Sequence, residues 1–377
     1  MKKVLKFNIR IRFVLAILLC SPFKTYASAD EARVFVFACN DPYAGPTAVA
    51  IQSLKETNRY EKEIVIFLYK VEEENVLKLG NMGDEYSTIY TIDLCEEKWK
   101  TMPTFGGQTI DLVESIMQIG RGKWDEMEFL NSQYSKDTLY RFMINLRLFF
   151  PDIWASGLLP LRLSNIEYFL WLDSDIIIYK DLSNIFEMCK RRPNQPIFGA
   201  NLLYSNQDDY SDQGDLYSGQ DEFEDHTYSD ENCCISGGVV LWNIEKIVEH
   251  CILICQNVFK KTNFETNSSD DDSGNEEQKA YIIYDSEEHI FTEYVSIFLV
   301  ENVHPETPQG FLPIQYNVTN DCYRYINEED IFIFHWDGIK KPWKDTDEKE
   351  DSDFIKKQNA QWKKIAARTP FYSSCEE

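Results

Sequence analysis

The residues with the clearest chemical purpose are Asp173 and Asp175, in Trp171-Leu172-Asp173-Ser174-Asp175 within the most apolar and β-branched stretch of the chain, 166–179. Side chains alternate along a strand, so two acids two residues apart face the same side. Paired carboxylates make a site for a hard divalent cation, Mn2+ or Mg2+, and left uncompensated beside a core they are expensive. A second cluster closes another apolar run: residues 331–334 end in His335, followed by Gly338 and Lys341. An imidazole on the same cation favours Mn2+ over Mg2+. Gly338 lets the backbone approach a phosphate, and Lys341 offers it a point charge. Near the N-terminus, Asn40-Asp41-Pro42-Tyr43 forms the turn after the first apolar run. There Tyr43 can stack on a base while Asn40 or Asp41 meets base or ribose hydrogen-bonding groups. Ser236-Gly237-Gly238 precedes an apolar run at 239–243 and puts small residues where a sugar or another backbone can press close.

These groups need a frame that gathers strand ends. Apolar runs of strand type at 34–39, 63–69 and 88–94 alternate with helical spacing at 46–54, 71–79 and 110–118, a rhythm that implies a parallel sheet covered on both faces. Helical spacing returns at 138–148, 244–259 and 286–297, and further strands are expected at 196–200, 239–243 and 331–335. In such sheets ligands gather beyond the carboxyl ends of the strands, where both clusters fall. Two acidic stretches break the rhythm, 207–231 with ten acids and no Lys or Arg, and 267–277; both read as solvated insertions. A helix is expected from Asp353 to Arg368, capped by Asp353, with Ile355, Trp362 and Ile365 facing the body. Its basic side could instead face an acceptor or a membrane surface.

Composition sets outer bounds. The chain has 377 residues, 44% of them apolar, and a net charge of −25, which suits a globular protein and opposes nucleic-acid binding. Its long apolar run, 13–20, is too short to span a bilayer, so no transmembrane span is expected. The run follows Lys2, Lys3, Lys6, Arg10 and Arg12 and precedes Ala27-Ser28-Ala29, the order of a secretory signal with a mature start at Asp30. The expected organisation is a signal at 1–29, a catalytic domain at 30–345 and a helical tail at 346–377. Cys20 leaves with the signal, so the ten cysteines become an odd set without zinc-ribbon spacing. Asn267-Ser268-Ser269 and Asn317-Val318-Thr319 are glycosylation acceptor patterns.

Taken in order, Leu172-Asp173-Ser174-Asp175-Ile176-Ile177 and His335-x-x-Gly338-x-x-Lys341-Pro342-Trp343 resemble the two signatures of family 8 glycosyltransferases, over about 34–343. The resemblance implies the GT-A fold, an α/β nucleotide-diphospho-sugar sandwich with a mostly parallel mixed sheet. It implies a retaining, metal-dependent transfer of a hexose or related sugar from a UDP-sugar to a carbohydrate, glycoprotein or glycolipid acceptor. Asp173, Asp175 and His335 correspond to the metal ligands, Tyr43 to a base-stacking tyrosine, Arg141 to a donor-contacting arginine, and Gly238 to the glycine of an Asn-Ala-Gly turn. Ser236 stands in place of that turn's asparagine, and Asn40 where relatives often carry an acid. The acceptor-side acid pair aligns either with Glu287-Glu288 or with Asp285-Ser286. Either metal-binding Asp changed to Asn is expected to leave stability unchanged or raised, because it removes charge from an acidic pocket. Two rivals remain: a haloacid-dehalogenase-type phosphatase, which starts from the same Asp-x-Asp but leaves His335 unexplained, and a secreted sugar-binding protein with a dead site.

Overall fold

In a computed structural model, residues 33–104, 109–118, 146–163, 166–191, 197–203, 233–244, 311–320, 322–336, 341–344 and 351–372 are described, together with Lys246, all within the unit Arg33–Glu377. The chain enters through β1 (Arg33–Cys39), a single 3-10 turn (Asp41–Tyr43) and α1 (Ala44–Thr57). It continues through β2 (Lys62–Leu68), α2 (Glu73–Gly80) and β3 (Ser87–Asp93). A small hairpin, β4 (Met102–Pro103) with β5 (Thr109–Ile110), precedes α3 (Leu112–Gln118) and α4 (Phe150–Ala155). Then follow β6 (Tyr168–Leu172), β7 (Ile176–Ile178), α5 (Ser183–Arg191), β8 (Ile197–Leu203) and β9 (Cys233–Asn243). The last elements are β10 (Phe311–Leu312), β11 (Val318–Thr319), β12 (Ile333–His335) and α6 (Asp353–Ala366).

The main sheet has the order β10-β8-β9-β6-β1-β2-β3 and is parallel throughout except for β9, which runs against both β6 and β8. Alternation along its strands sorts the apolar side chains into two cores. Val34, Val36, Val65, Phe67, Phe169, Trp171, Val240 and Trp242 pack with Phe150 and Ile153 of α4 on one face. Phe35, Phe37, Ile64, Ile66, Leu170, Leu172, Val239 and Leu241 pack with Ala48, Ile51 and Leu54 of α1 on the other. A sheet buried on both faces is why these strands are apolar without a polar alternation.

The apolar stretch at 166–179 divides at its polar interruption, where the Asp pair ends the first strand. β6 ends in the main sheet at Leu172; after Asp173-Ser174-Asp175 the chain resumes as β7 in a separate three-stranded sheet, β11-β12-β7. β12 runs antiparallel to β7 with His335 opposite Ile176, and parallel to β11 with His335 opposite Thr319. Helix α1 lies between the two sheets, which is why nearly every residue of its first three turns is buried. The Ser53 hydroxyl accepts from Ile178 N at 3.0 Å, and Val49 joins Ile177, Phe334 and Trp336 in a third core.

Sequence expectations are corrected at two positions. Ser236, Gly237 and Gly238 lie inside the eleven-residue β9, because pairing with β8 carries the strand back past Val239. The last helix is capped by Ser352, whose side chain accepts from Ile355 N at 3.3 Å, and Asp353 is its first residue. The expected helices at 244–259 and 286–297, most of 138–148 and both acidic insertions lie outside the described residues. Among those described, Cys39 and Cys95 are free thiols, Cys322 Sγ accepts from Thr319 N at 3.0 Å, and no helix is long and apolar enough to cross a membrane.

Helix α6 closes the third core. Trp362 and Ile365 are buried against it, the Trp343 and Tyr372 rings lie 5.5 and 5.4 Å from Trp362, and Asn359 Oδ1 accepts from Trp336 Nε1 at 2.9 Å. Trp362→Ala is expected to cost about 3–5 kcal/mol in urea unfolding, as truncation of a buried Trp does. Trp362→Phe should cost much less, since it keeps most of the ring area and removes an Nε1 that is buried without a partner among the described residues. Equal, small losses from both variants would show that α6 does not brace the domain.

Candidate metal centre and donor site

Asp173 sits where β6 leaves the main sheet, its N–H held 2.9 Å from Gly238 O on β9. Ser174, the corner residue, donates from Oγ to Ala38 O at 2.8 Å and lies 2.8 Å from Thr47 Oγ1, so the turn is pinned to the end of β1 and the first turns of α1. Asp175 O accepts from Trp336 N at 3.0 Å, which ties the corner to the residue after β12. The backbone alone thus brings the end of β6 beside the end of β12.

The side chains meet there. His335 Nε2 lies 3.1 Å from Asp175 Oδ1 and 3.9 Å from Asp173 Oδ2, while its Nδ1 is 3.0 Å from Asn317 Oδ1. One ligand atom from each of Asp173, Asp175 and His335 falls within 4.8 Å of the others. Neighbouring ligands of a six-coordinate Mn2+ or Mg2+ stand about 3 Å apart, so the three side chains would have to draw closer to hold one. The residues fit a divalent ion: two hard carboxylates with one imidazole is a donor set that suits Mn2+.

Glycine at 238 is a requirement of packing. A Cβ there would lie 2.4 Å from His335 Cε1 and 3.2 Å from Asp173 Oδ2, so any side chain would push the imidazole away from the acids. Gly237 has the same relation to Arg147, whose guanidinium would be 2.4 Å from an added Cβ. Arg147 is fully buried, donates to Gly237 O, and places Nη1 3.5 Å from Asp173 Oδ1. Trp171 Nε1 donates to the same carboxylate oxygen at 3.3 Å.

The two acids have opposite electrostatic settings. Burial raises the Asp173 carboxyl above the usual range, and the Arg147 and His335 charges only partly offset this while Asp175 adds to it. At Asp175 burial works the same way but is outweighed by Lys341 and His335, both hydrogen-bonded to it, which hold the carboxyl well below the usual range. Lys341 Nζ donates to Asp175 Oδ2 and to Trp336 O, and is itself buried.

Other expected site residues are placed as follows. Tyr43 is half-buried with its ring edge-on to Trp343, centroids 5.8 Å apart. Asn40 is buried and its Oδ1 caps the turn by accepting from Tyr43 N at 3.3 Å. Asp41 Oδ1 accepts from Glu72 N and Asn75 Nδ2, each at 2.9 Å, anchoring the start of α2. Ser236 pairs opposite Ala200 in β9. Arg141, Asp285, Glu287, Glu288 and Gly338 lie outside the described residues. Sequence reasoning missed Arg147 and Asn317. Arg147 had a signal, a cation embedded in Leu146-Arg147-Leu148-Phe149-Phe150; Asn317 was read only as a glycosylation pattern.

A mostly parallel sheet with a buried Asp-x-Asp corner and a histidine delivered by a second small sheet defines a GT-A glycosyltransferase. The chain belongs to glycosyl transferase family 8, whose model matches residues 34–347. Among solved structures it is similar to the galactosyltransferase LgtC in complex with donor and acceptor sugar analogs, at 12% identity and a TM-score of 0.50, covering 89% of this chain and 96% of that one. It is also similar to the bifunctional glycosyltransferase WbbM, at 14% identity and a TM-score of 0.51, covering 92% of this chain and 51% of that one. No curated protein matches the chain in sequence.

The settings of the two acids separate variants that charge counting treats alike. Asp173→Asn is expected to cost little, because burial already disfavours its charge and this offsets the loss of a partner for Arg147. Asp175→Asn corrects the simpler expectation: it removes the counter-charge of buried Lys341 and should destabilise, toward the about 3–5 kcal/mol that breaking a buried pair costs, less what the remaining amide hydrogen bond retains. Matching melting curves for the two variants would refute this division.

Proposed function

We propose that this glycosyltransferase is metal-dependent and moves a hexose or related sugar from a UDP-sugar to a hydroxyl of a carbohydrate, glycoprotein or glycolipid acceptor, with retention at the anomeric carbon. The observation that carries the reading is the convergence of Asp173, Asp175 and His335 at the carboxyl end of β6, the position where open α/β sheets take ligands. A divalent ion held by these three residues would offset the charge that develops on the diphosphate as the anomeric bond breaks. In this reading Tyr43, whose ring lies edge-on to Trp343, stacks on the uracil ring. Arg147 and Trp171 fix the Asp173 carboxylate, so its geometry does not have to be organised at each turnover. Lys341 balances Asp175 in the protein alone, and the reading gives it the diphosphate as a second partner. The acceptor hydroxyl forms the new bond to the anomeric carbon and gives up its proton, and UDP leaves with the bonding pair.

His335 meeting both acids counts against the phosphatase alternative, which has no place for a distant histidine. Incubation with a panel of UDP-sugars and Mn2+ is expected to release UDP, and excess EDTA, Asp173→Asn or Asp175→Asn should each abolish the release. Turnover that persists in EDTA removes the metal from the mechanism. A folded chain that binds UDP-sugars but hydrolyses none supports the dead-site alternative.

We further place the chain on the secretory route, as a lumenal or exported enzyme, supported by the basic and apolar leader ending in Ala27-Ser28-Ala29. N-terminal sequencing of the chain recovered from an exporting host should begin at Asp30; a start at Met1 on exported material would overturn the cleavage.

A further inference from the structure

We infer that the C-terminal segment is part of the donor-base site: Trp362 and Tyr372 are positioning residues that hold the Tyr43 ring for stacking, acting through Trp343 and through the start of α1. The inference rests on the UDP-sugar reading above and deepens it. Four rings follow one another from the turn after β1 to the residues after α6. Tyr43 is edge-on to Trp343, with centroids 5.8 Å apart at 77°; Trp343 is 5.5 Å from Trp362, tilted at 36°; and Trp362 is 5.4 Å from Tyr372, edge-on again at 76°. These are the separations of attractive aromatic pairs. The family match ends at residue 347, so Trp362 and Tyr372 are supplied by chain beyond it.

Tyr372 also touches the helix that follows Tyr43. A Cβ on Gly45 would lie 2.6 Å from Tyr372 Oη and 3.1 Å from its Cζ, so the tyrosine packs directly on backbone two residues after Tyr43. Glycine is a weaker helix former than alanine, and its use at this position keeps open the space that Tyr372 fills. The segment that carries Tyr372 is itself anchored. Trp362 and Thr369 are buried, Thr369 Oγ1 donates to Ala366 O at 2.8 Å, and Arg368 pairs with Glu56 of α1 at 2.8 Å. The Tyr43 backbone is fixed independently: its N–H donates to Asn40 O at 3.0 Å and its carbonyl accepts from Thr47 Oγ1 at 2.8 Å. Those bonds set the position of Cα but not the rotamer of the ring, which its ring neighbours restrict. A ring already held in its stacking rotamer saves the cost of ordering it when a base arrives.

The test uses the full chain with Mn2+ present and compares two probes by calorimetry, UDP and inorganic pyrophosphate, which shares the diphosphate and has no base. The ratio of the two affinities isolates the base. In Tyr372→Ala and in Trp343→Leu this ratio is expected to fall about 2–10-fold, the worth of an aromatic pair, with pyrophosphate affinity near wild type. Tyr372→Phe keeps the ring against Trp362 and Gly45 and should restore the wild-type ratio. A folded Tyr372→Ala with an unchanged ratio would overturn the inference, and so would UDP and pyrophosphate weakening together, which is what a general loosening of the site produces. Should Tyr372→Ala fail to fold, Tyr372→Leu answers by the same ratio. A wild type that binds UDP no better than pyrophosphate overturns the stacking role of Tyr43 and this inference with it. A wild-type preference for UDP that both variants keep overturns this inference alone.

Discussion

The structure depends on how two carboxylates are accommodated at the end of a buried strand. Asp173 and Asp175 follow Leu172, a fully buried residue, and neither can be left there without compensation. The fold answers with fixed cations and donors drawn from four places in the chain: Arg147, Trp171, His335 and Lys341. The compensation is uneven. Asp175 is fully paired, whereas Asp173 keeps 31% of its side-chain surface exposed and has its charge disfavoured by burial. An ion bound there would relieve Asp173 most, with Asp175 as the fixed half of its cage.

Much of the remaining architecture follows from delivering those groups. The chain must leave the main sheet at Asp173 and re-form as β7, so that β12 can pair with it and bring His335 opposite Ile176. Helix α1 fills the wedge this creates, which is why it is buried on both the sheet side and the β7 side. Helix α6 caps the outside of the small sheet through Trp362 and through Asn359 on the Trp336 indole, next in sequence to His335. Two glycines in β9 supply the opposite wall, where any side chain would collide with His335 or Arg147.

What the sequence determined by itself was local and periodic. The apolar strands, the alternation of strands and helices, the Asp-x-Asp corner, and the His335 and Lys341 cluster are all legible because each is contiguous and depends on spacing along one element. The tertiary structure decided whatever depends on neighbours distant in the chain. Whether 166–179 is one strand or two turns on which sheet each half pairs with, and pairing energy is not written in either half alone. Gly237 and Gly238 read as small residues at a close approach, but that the approaching groups are Arg147 and His335, about 90 positions away, is decided by the fold. Lys341 was assigned to a phosphate and is found on Asp175, since a lone cation pairs with whichever carboxylate the fold brings to it. Arg147 and Asn317 act only through contacts with Asp173 and His335, and no periodicity marks a residue whose role is to hold another in place.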